Sequence, residues 1–294
     1  MNEPLVSVVV ITYNHEPYIK ECLDGIISQK TDFPIEILVN DDCSTDNTSS
    51  IIKEYELKYP ILFRCIYQTE NQYSKGVHPW FDILFPTAKG KYIALCEGDD
   101  YWTDPYKLQK QVGFMETNPD LVAIYHNAFQ KIGEYRNLFI TPNNTAHYIS
   151  NKELLVEWKI PTASLLFKKE NLNNNAYNLR QYINSDYALE LFLKSQGKLY
   201  YDDSIMSVYR MHSDSMSANL NNNAIMMYLQ IIKLLEDAKC IYMEDDHNYF
   251  DKAIEKYKTL IAEIMVLNHP LRKWFNSKTY KRWIKKKMNK ILYS

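Results

Sequence analysis

Two acidic clusters are the first residues whose types and spacing could do chemistry: Asp41-Asp42 and Glu97-Gly98-Asp99-Asp100. Carboxylates gathered in one crevice repel one another, at a penalty of a few kcal/mol even at intermediate effective dielectric. A cation offsets this. Hard divalent ions such as Mg²⁺ or Mn²⁺ take carboxylate oxygens together with substrate phosphates. A diphosphate that gathers charge as a bond to it breaks needs such an ion. The plainer reading is that these acids cap helices and build turns, and a lone Asp-Asp pair is most simply read that way. Asp202-Asp203, as a turn before a strand, and Asp245-Asp246, solvated between helices, receive that plainer reading.

Two further residues could act singly. In Asn184-Ser185-Asp186-Tyr187, Asp186 opens a helix with Leu189, Phe192 and Leu193 on its apolar face. An acid there is favoured by the helix dipole, and it is also a group able to take a proton from a hydroxyl. Val208-Tyr209-Arg210-Met211-His212, followed by Ser213, Ser215 and Ser217, ends a strand on an imidazole. Read by itself, His212 suits a solvated surface site.

For the clusters to meet, regular elements must carry them to one edge. Residues 6–12 are β-branched and almost continuously apolar, as in a strand buried on both faces. Residues 18–29 put Ile19, Cys22, Leu23, Ile26 and Ile27 on one helical face. A strand over 35–39 runs into Asp41-Asp42; Ser44-Thr45-Asp46 opens a helix over 48–58, and 62–67 is a third strand. A helical stretch at 80–88 precedes a strand at 92–96 that ends on Glu97. Pro105 then opens a helix to about 115. Strand and helix alternate, which predicts an α/β fold with a mostly parallel sheet. Both clusters follow strand ends, where such sheets bind ligands, so they should share a crevice although about 55 residues separate them. Further on, 121–127, 162–167 and 205–210 read as strands and 186–195 as a helix. From 224 the pattern is helical in three pieces.

Here the sequence resembles a known family. Val6 to Asn14 with Tyr18-Ile19 and Leu23, then Glu36 through Thr48, then Cys96-Glu97-Gly98-Asp99-Asp100-Tyr101-Trp102 with Asp104-Pro105, Lys107-Leu108 and Gln111, are similar in order and type to family 2 glycosyltransferases. The likeness is dense over the first 115 or so residues and returns at about 185–217. It implies the GT-A fold and inverting sugar transfer. It further implies Thr12 and Tyr13 lining a nucleotide pocket, Asp41 accepting from the base, and Asp99 and Asp100 meeting the ribose and the metal. The resemblance implies that His212 joins the metal, Mg²⁺ or Mn²⁺, or the diphosphate, that Arg210 makes a structural or phosphate contact, and that Asp186 is the base. Glu97 stands where the family usually has Asp, so it reaches the metal directly or through water. Cys43 stands where Gly is frequent, and is expected to be a small residue filling a turn.

Charge and composition narrow the partners. The net charge is −2, but 271–294 carry nine Lys or Arg and no acid, so 25 basic residues face 36 acidic ones in the rest, a body charge of −11. Such a body repels nucleic acid. The five cysteines show no CxxC spacing, as for reduced thiols in the cytoplasm. The first residues lack the basic start and long apolar run of a secretion signal, and no segment reaches the length of a membrane span. In the tail, Tyr280, Trp283, Ile284, Met288, Ile291 and Leu292 form one apolar stripe among lysines. That pattern suits an anionic membrane surface, at the inner face of the plasma membrane, or a helix docked on the acidic body.

The expected architecture is a catalytic domain over 1–220, with nucleotide-sugar binding in 1–115 and the acceptor side in 116–220. A helical extension follows over 221–294. The expected partners are a nucleotide-sugar, a UDP-sugar first, and a glycan or lipid-linked glycan acceptor. A sugar nucleotidyltransferase is the rival enzyme, but Asn14-His15-Glu16 offers no Gly-rich basic phosphate loop. A non-catalytic, membrane-docked sugar-binding protein is the other rival. Trp80 and Trp158 are expected in the core rather than under acceptor sugars.

Overall fold

The computed structural model describes residues 3–140, 145–157, 160–172, 176–212 and 224–267. Trp158, Ser213, Ser215, Ser217 and the basic tail 271–294 lie outside the described residues. The chain divides into two units, one of residues 1–150, 159–181 and 189–212, the other of 151–158, 182–188 and 213–294.

The first unit is built on one sheet. β1 (Val6–Thr12), β2 (Ile35–Asp41), β3 (Phe63–Tyr67) and β4 (Tyr92–Glu97) are joined by α1 (Ile19–Ile27), α2 (Thr48–Lys58) and a turn over Pro79–Leu84 that runs into the short α3 (Phe85–Thr87). After β5 (Tyr101–Trp102) and α4 (Lys107–Thr117) come β6 (Leu121–Ile132), β7 (Tyr135–Leu138) and β8 (His147–Tyr148). The helix α5 (Asn151–Glu157) belongs to the other unit, and the sheet is completed by β9 (Leu166–Lys168) and β10 (Lys198–Met211). The strand order is β3-β2-β1-β4-β9-β6-β10-β5, with β7 on β6 and β8 on β10. β1 to β4, β6 and β10 run one way, and β5, β7, β8 and β9 the other. The sheet is thus mixed but mostly parallel, as the alternating pattern predicts.

The register explains how distant acids meet. β1 pairs with β2 from Val6↔Ile35 to Thr12↔Asp41, and with β4 from Val6↔Tyr92 to Ile11↔Glu97. Parallel strands in this register end level, so Thr12, Asp41 and Glu97 stand along one edge of the sheet. Val6, Val8, Val9 and Val10 are fully buried, and α1 seals the layer with Ile19, Cys22, Leu23 and Ile26. Trp80 is likewise core. Gly25 lets α1 approach β5: a Cβ there would meet the Trp102 carbonyl oxygen at 2.7 Å.

Two expectations change, and one short strand was not expected. The strand expected over 162–167 is a 3₁₀ turn at Thr162–Ser164 before β9, because Ser164 folds back with both its N–H and its hydroxyl donating to the Pro161 carbonyl. Asp202-Asp203 does not precede a strand but lies inside β10, where pairing with β6 shifts and Ser204 N donates to Asp202 Oδ1 at 2.8 Å. Such a bulge breaks the two-residue alternation on which a strand is recognised. Tyr101-Trp102 forms β5 against Ser207 and Val208 of β10, a pairing too short for any sequence pattern.

The second unit contains α5, the first turn of α6 (Ser185–Gln196), α7 (Ala224–Ala238) and α8 (His247–Leu267). Ile231, Leu234, Leu235, Phe250, Ala253 and Ile261 are buried. Polar ties join the segments: Tyr182 OH donates to Asp237 at 2.7 Å and Asn151 Nδ2 to Asp246 at 2.7 Å. Among the described residues no helix is long and apolar enough to cross a membrane.

One core residue of the first unit has a measurable signature. Lys107 is fully buried at the start of α4; its Nζ donates to Gln111 Oε1 at 2.8 Å and lies 4.1 Å over the Trp102 ring. Burial lowers its ammonium from 10.5 to about 7. Between those values the unfolded chain holds a proton that the folded one has released, so stability rises with pH across that window, by at most about 1.4 kcal/mol per unit. Lys107→Met is expected to flatten this slope in denaturant midpoints measured between pH 7 and pH 10. An unchanged slope would show that the ammonium is hydrated.

Candidate functional site

The site grows from the loops after β1, β2 and β4 and from the end of β10. Asn14 and Cys43 both take left-handed backbone conformations, φ 55° and 66°. Asn tolerates that region through its short polar side chain and Gly enters it freely, which gives the physical reason a glycine suits position 43. The two loops clasp each other. Asn14 N donates to Ser44 Oγ at 2.9 Å and Thr45 N to Asn14 Oδ1 at 2.8 Å; Asn47 Nδ2 donates to Glu16 Oε1 at 2.6 Å. Tyr13, directly after β1, is 43% exposed.

The Asp41-Asp42 pair divides its work. The buried Asp41 carboxylate accepts from Ser44 N at 3.1 Å and from the hydroxyls of Ser44 and Ser49. These donors hold the carboxylate against its own turn and the start of α2. Asp42 accepts from Gln72 N at 2.7 Å and Tyr73 N at 3.1 Å, and so ties the loop after β3 to the end of β2.

The acidic turn after β4 meets the end of β10. Asp99 Oδ2 lies 3.0 Å from His212 Nε2 and 3.9 Å from His15 Nε2. Burial alone would raise the Asp99 carboxyl, but the hydrogen bond to His212 and the field of His15 outweigh it and hold it below its ordinary value. Burial lowers the His15 imidazole despite the nearby Asp99. Asp100 accepts from Arg210 N at 2.8 Å through Oδ1. Burial, followed by the charges of Asp99 and Glu97, pushes its carboxyl well above the usual range. Gly98 is required by crowding, since a Cβ would sit 2.8 Å from Thr12 Oγ1 and 2.9 Å from His15 Nδ1.

Arg210 organises this corner. One guanidinium nitrogen donates to the Asp99 main-chain carbonyl and the other to Glu21 on α1. The group lies 4.3 Å over Tyr101 and 5.2 Å over Tyr18, and the Tyr18 ring is 4.6 Å from that of His212. Of the two roles read for Arg210, the structural one accounts for its contacts.

These residues fit a divalent cation. Asp99 Oδ2 and His212 Nε2 are spaced like adjacent ligands of one ion, an anionic oxygen beside an imidazole nitrogen. Three buried polar atoms nearby, Thr12 Oγ1, His15 Nδ1 and Asp100 Oδ2, have no hydrogen-bond partner among the described residues, a condition that bound groups ordinarily relieve. Among the described residues no three His, Cys, Asp or Glu side chains close around a metal. An ion here takes its other ligands from phosphate and water.

The first unit therefore brings Thr12, Tyr13, Asp41, Glu97, Asp99, Asp100, Arg210 and His212 onto one sheet edge and its loops. Asp186 belongs to the second unit, in the first turn of α6. Its Oδ1 accepts from Tyr187 N at 2.8 Å, and burial raises its carboxyl above the ordinary value. Sequence reasoning passed over His15 and Glu21. His15 was visible only as a polar residue beyond a buried strand, and nothing in the sequence marks Glu21.

An α/β sheet with these loops defines a GT-A glycosyltransferase fold. The profile described as Glycosyl transferase family 2 matches residues 7–175. The chain belongs to that family. An uncharacterized protein of Mycobacterium tuberculosis is 50% identical over 121 residues, 41% of this chain. The chain spans about a third of the length of the mycobacterial relatives it matches, 34%. The Escherichia coli UDP-Glc:alpha-D-GlcNAc-diphosphoundecaprenol beta-1,3-glucosyltransferase WfaP is 31% identical over 217 residues, 73% of this chain and 80% of that protein. Among solved structures, Staphylococcus aureus TarS in complex with UDP-GlcNAc superposes with a TM-score of 0.62 at 16% identity, covering 97% of this chain and 91% of that one. The Pyrobaculum calidifontis mannosyltransferase PcManGT, in complex with GDP-Man and Mn²⁺, superposes with a TM-score of 0.57 at 17% identity, covering 98% and 87%.

Proposed function

We propose that this protein is an inverting glycosyltransferase that moves a sugar from a UDP-sugar to a hydroxyl of a glycan or lipid-linked glycan, in surface polysaccharide synthesis. The observation that carries the reading is the Asp99–His212 pair at 3.0 Å beside the loops after β1 and β2. Relatives add support: WfaP is named for a UDP-glucose donor and a diphosphoundecaprenol-linked acceptor, and PcManGT was crystallised with Mn²⁺.

In this reading Thr12 and Tyr13 line the nucleotide pocket, with Tyr13 offering its exposed ring to the base. Asp41 shapes the turn beneath, and its oxygens stay with Ser44 and Ser49. Asp99 and His212 would hold the cation, which would supply positive charge against the departing diphosphate. The imidazole favours Mn²⁺ over the harder Mg²⁺. Asp100 stands behind them on Arg210 N, and Glu97 adds to the negative field. Asp186 takes the acceptor's proton; the hydroxyl oxygen bonds to the anomeric carbon, and the sugar–phosphate bond opposite breaks, its electron pair leaving with UDP.

Residues 271–294 supply the proposed hold on an anionic membrane surface, at the cytoplasmic face, from their sequence alone. The test is a panel of nucleotide-sugars with Mn²⁺ or Mg²⁺ and glycan or lipid-linked acceptors. Release of UDP with a mass shift of the acceptor is expected. No turnover of any nucleotide-sugar would overturn the reading, and pyrophosphate made from a sugar phosphate and a nucleoside triphosphate would replace it with nucleotidyl transfer.

A further inference from the structure

We propose that Glu21 is a positioning residue that keeps the Arg210 guanidinium off the Asp99 carboxylate. This rests on the reading of Asp99 as a cation ligand. A guanidinium within reach of a carboxylate ordinarily pairs with it, two N–H groups to two oxygens. Arg210 reaches Asp99 and yet makes its contact to the main-chain carbonyl. Its other terminal nitrogen is held by Glu21, in the first turn of α1.

A planar fork bound at both tips has its plane fixed. Tyr101 at 4.3 Å and Tyr18 at 5.2 Å support its faces. The Asp99 carboxylate is thereby left facing His212. With Glu21 removed, the guanidinium is free to rotate about its terminal torsions toward the carboxylate of Asp99, the residue whose main-chain carbonyl it already contacts. Arg210 then competes with the cation for the same carboxylate. Glu21 is suited to the task because its side chain is 55% exposed, so its loss leaves no hole in the core.

The experiment is Mn²⁺ binding to the full chain with UDP present, followed by electron paramagnetic resonance of the free ion, together with melting in the absence of metal. Glu21→Ala is expected to weaken Mn²⁺ binding by about tenfold, the range found when groups behind a metal ligand are removed. Its metal-free melting should stay near that of the parent. Glu21→Gln, which keeps the hydrogen-bond acceptor, is expected to retain most of the affinity. Mn²⁺ affinity of Glu21→Ala within twofold of the parent would overturn the proposal, as would lowered melting with unchanged affinity, the mark of a purely structural contact. A parent protein that binds no Mn²⁺ with UDP would fail at the earlier step, the cation reading, and take the role of Glu21 with it.

Discussion

Asp186→Asn is expected to slow the proposed sugar transfer by about 10²- to 10⁴-fold, the usual contribution of a general base, with UDP binding unchanged. Asparagine keeps the shape and the oxygen that accepts from Tyr187 N but cannot take a proton from the acceptor. Folding should not suffer. Burial disfavours the ionised Asp186 carboxylate, as its raised carboxyl shows, so a neutral amide relieves a penalty and the melting temperature should hold or rise. The pH dependence follows with a definite sign. The base works ionised, so transfer fails as pH falls through the carboxyl's raised value, earlier on the acid side than for an ordinary aspartate. Steady-state kinetics against pH, with calorimetric titration of UDP, measure both. Full activity in Asp186→Asn would remove the residue from the mechanism.

Asp99→Asn is expected to have a different signature. It removes the one carboxylate oxygen that faces His212 at 3.0 Å and His15 at 3.9 Å. Asparagine fills the same space and can still hydrogen-bond His212, so the turn between β4 and β5 is kept. Its amide is a poor substitute for an anionic oxygen on a divalent ion. Turnover should fall by about 10²- to 10³-fold, as when one main stabiliser of developing negative charge is lost. Here cation affinity falls with it, whereas Asp186→Asn spares binding. Raising Mn²⁺ should restore part of the rate of Asp99→Asn and none of that of Asp186→Asn. Equal insensitivity to Mn²⁺ in both variants would separate Asp99 from the cation.

The alternation of strand and helix over the first 115 or so residues is legible in the amino-acid order alone. Burial on both faces of a parallel strand writes a continuous apolar run such as Val8-Val9-Val10, and a helix lying on the sheet writes Ile19, Cys22, Leu23 and Ile26 at helical spacing. From that alternation the shared edge of the two acidic clusters followed, because parallel crossovers bring successive strand ends to the same side. The tertiary structure decided what each acid does there. Asp41 and Asp99 are both aspartates just after or at a strand end, yet one accepts from Ser44 and Ser49, within eight residues of it, while the other faces an imidazole from 113 residues away. Composition and spacing carry no record of the direction a side chain takes, and that direction is set by neighbours distant in sequence. His15, Glu21 and the short β5 escaped notice for the same reason: a pairing of two residues, an ion pair across 189 positions and an imidazole beside Gly98 have no local pattern. Only the closing of β10 against β5, with Arg210 between Glu21 and Asp99, turns a set of acids into an oriented site, because long-range packing fixes which oxygens remain for a ligand.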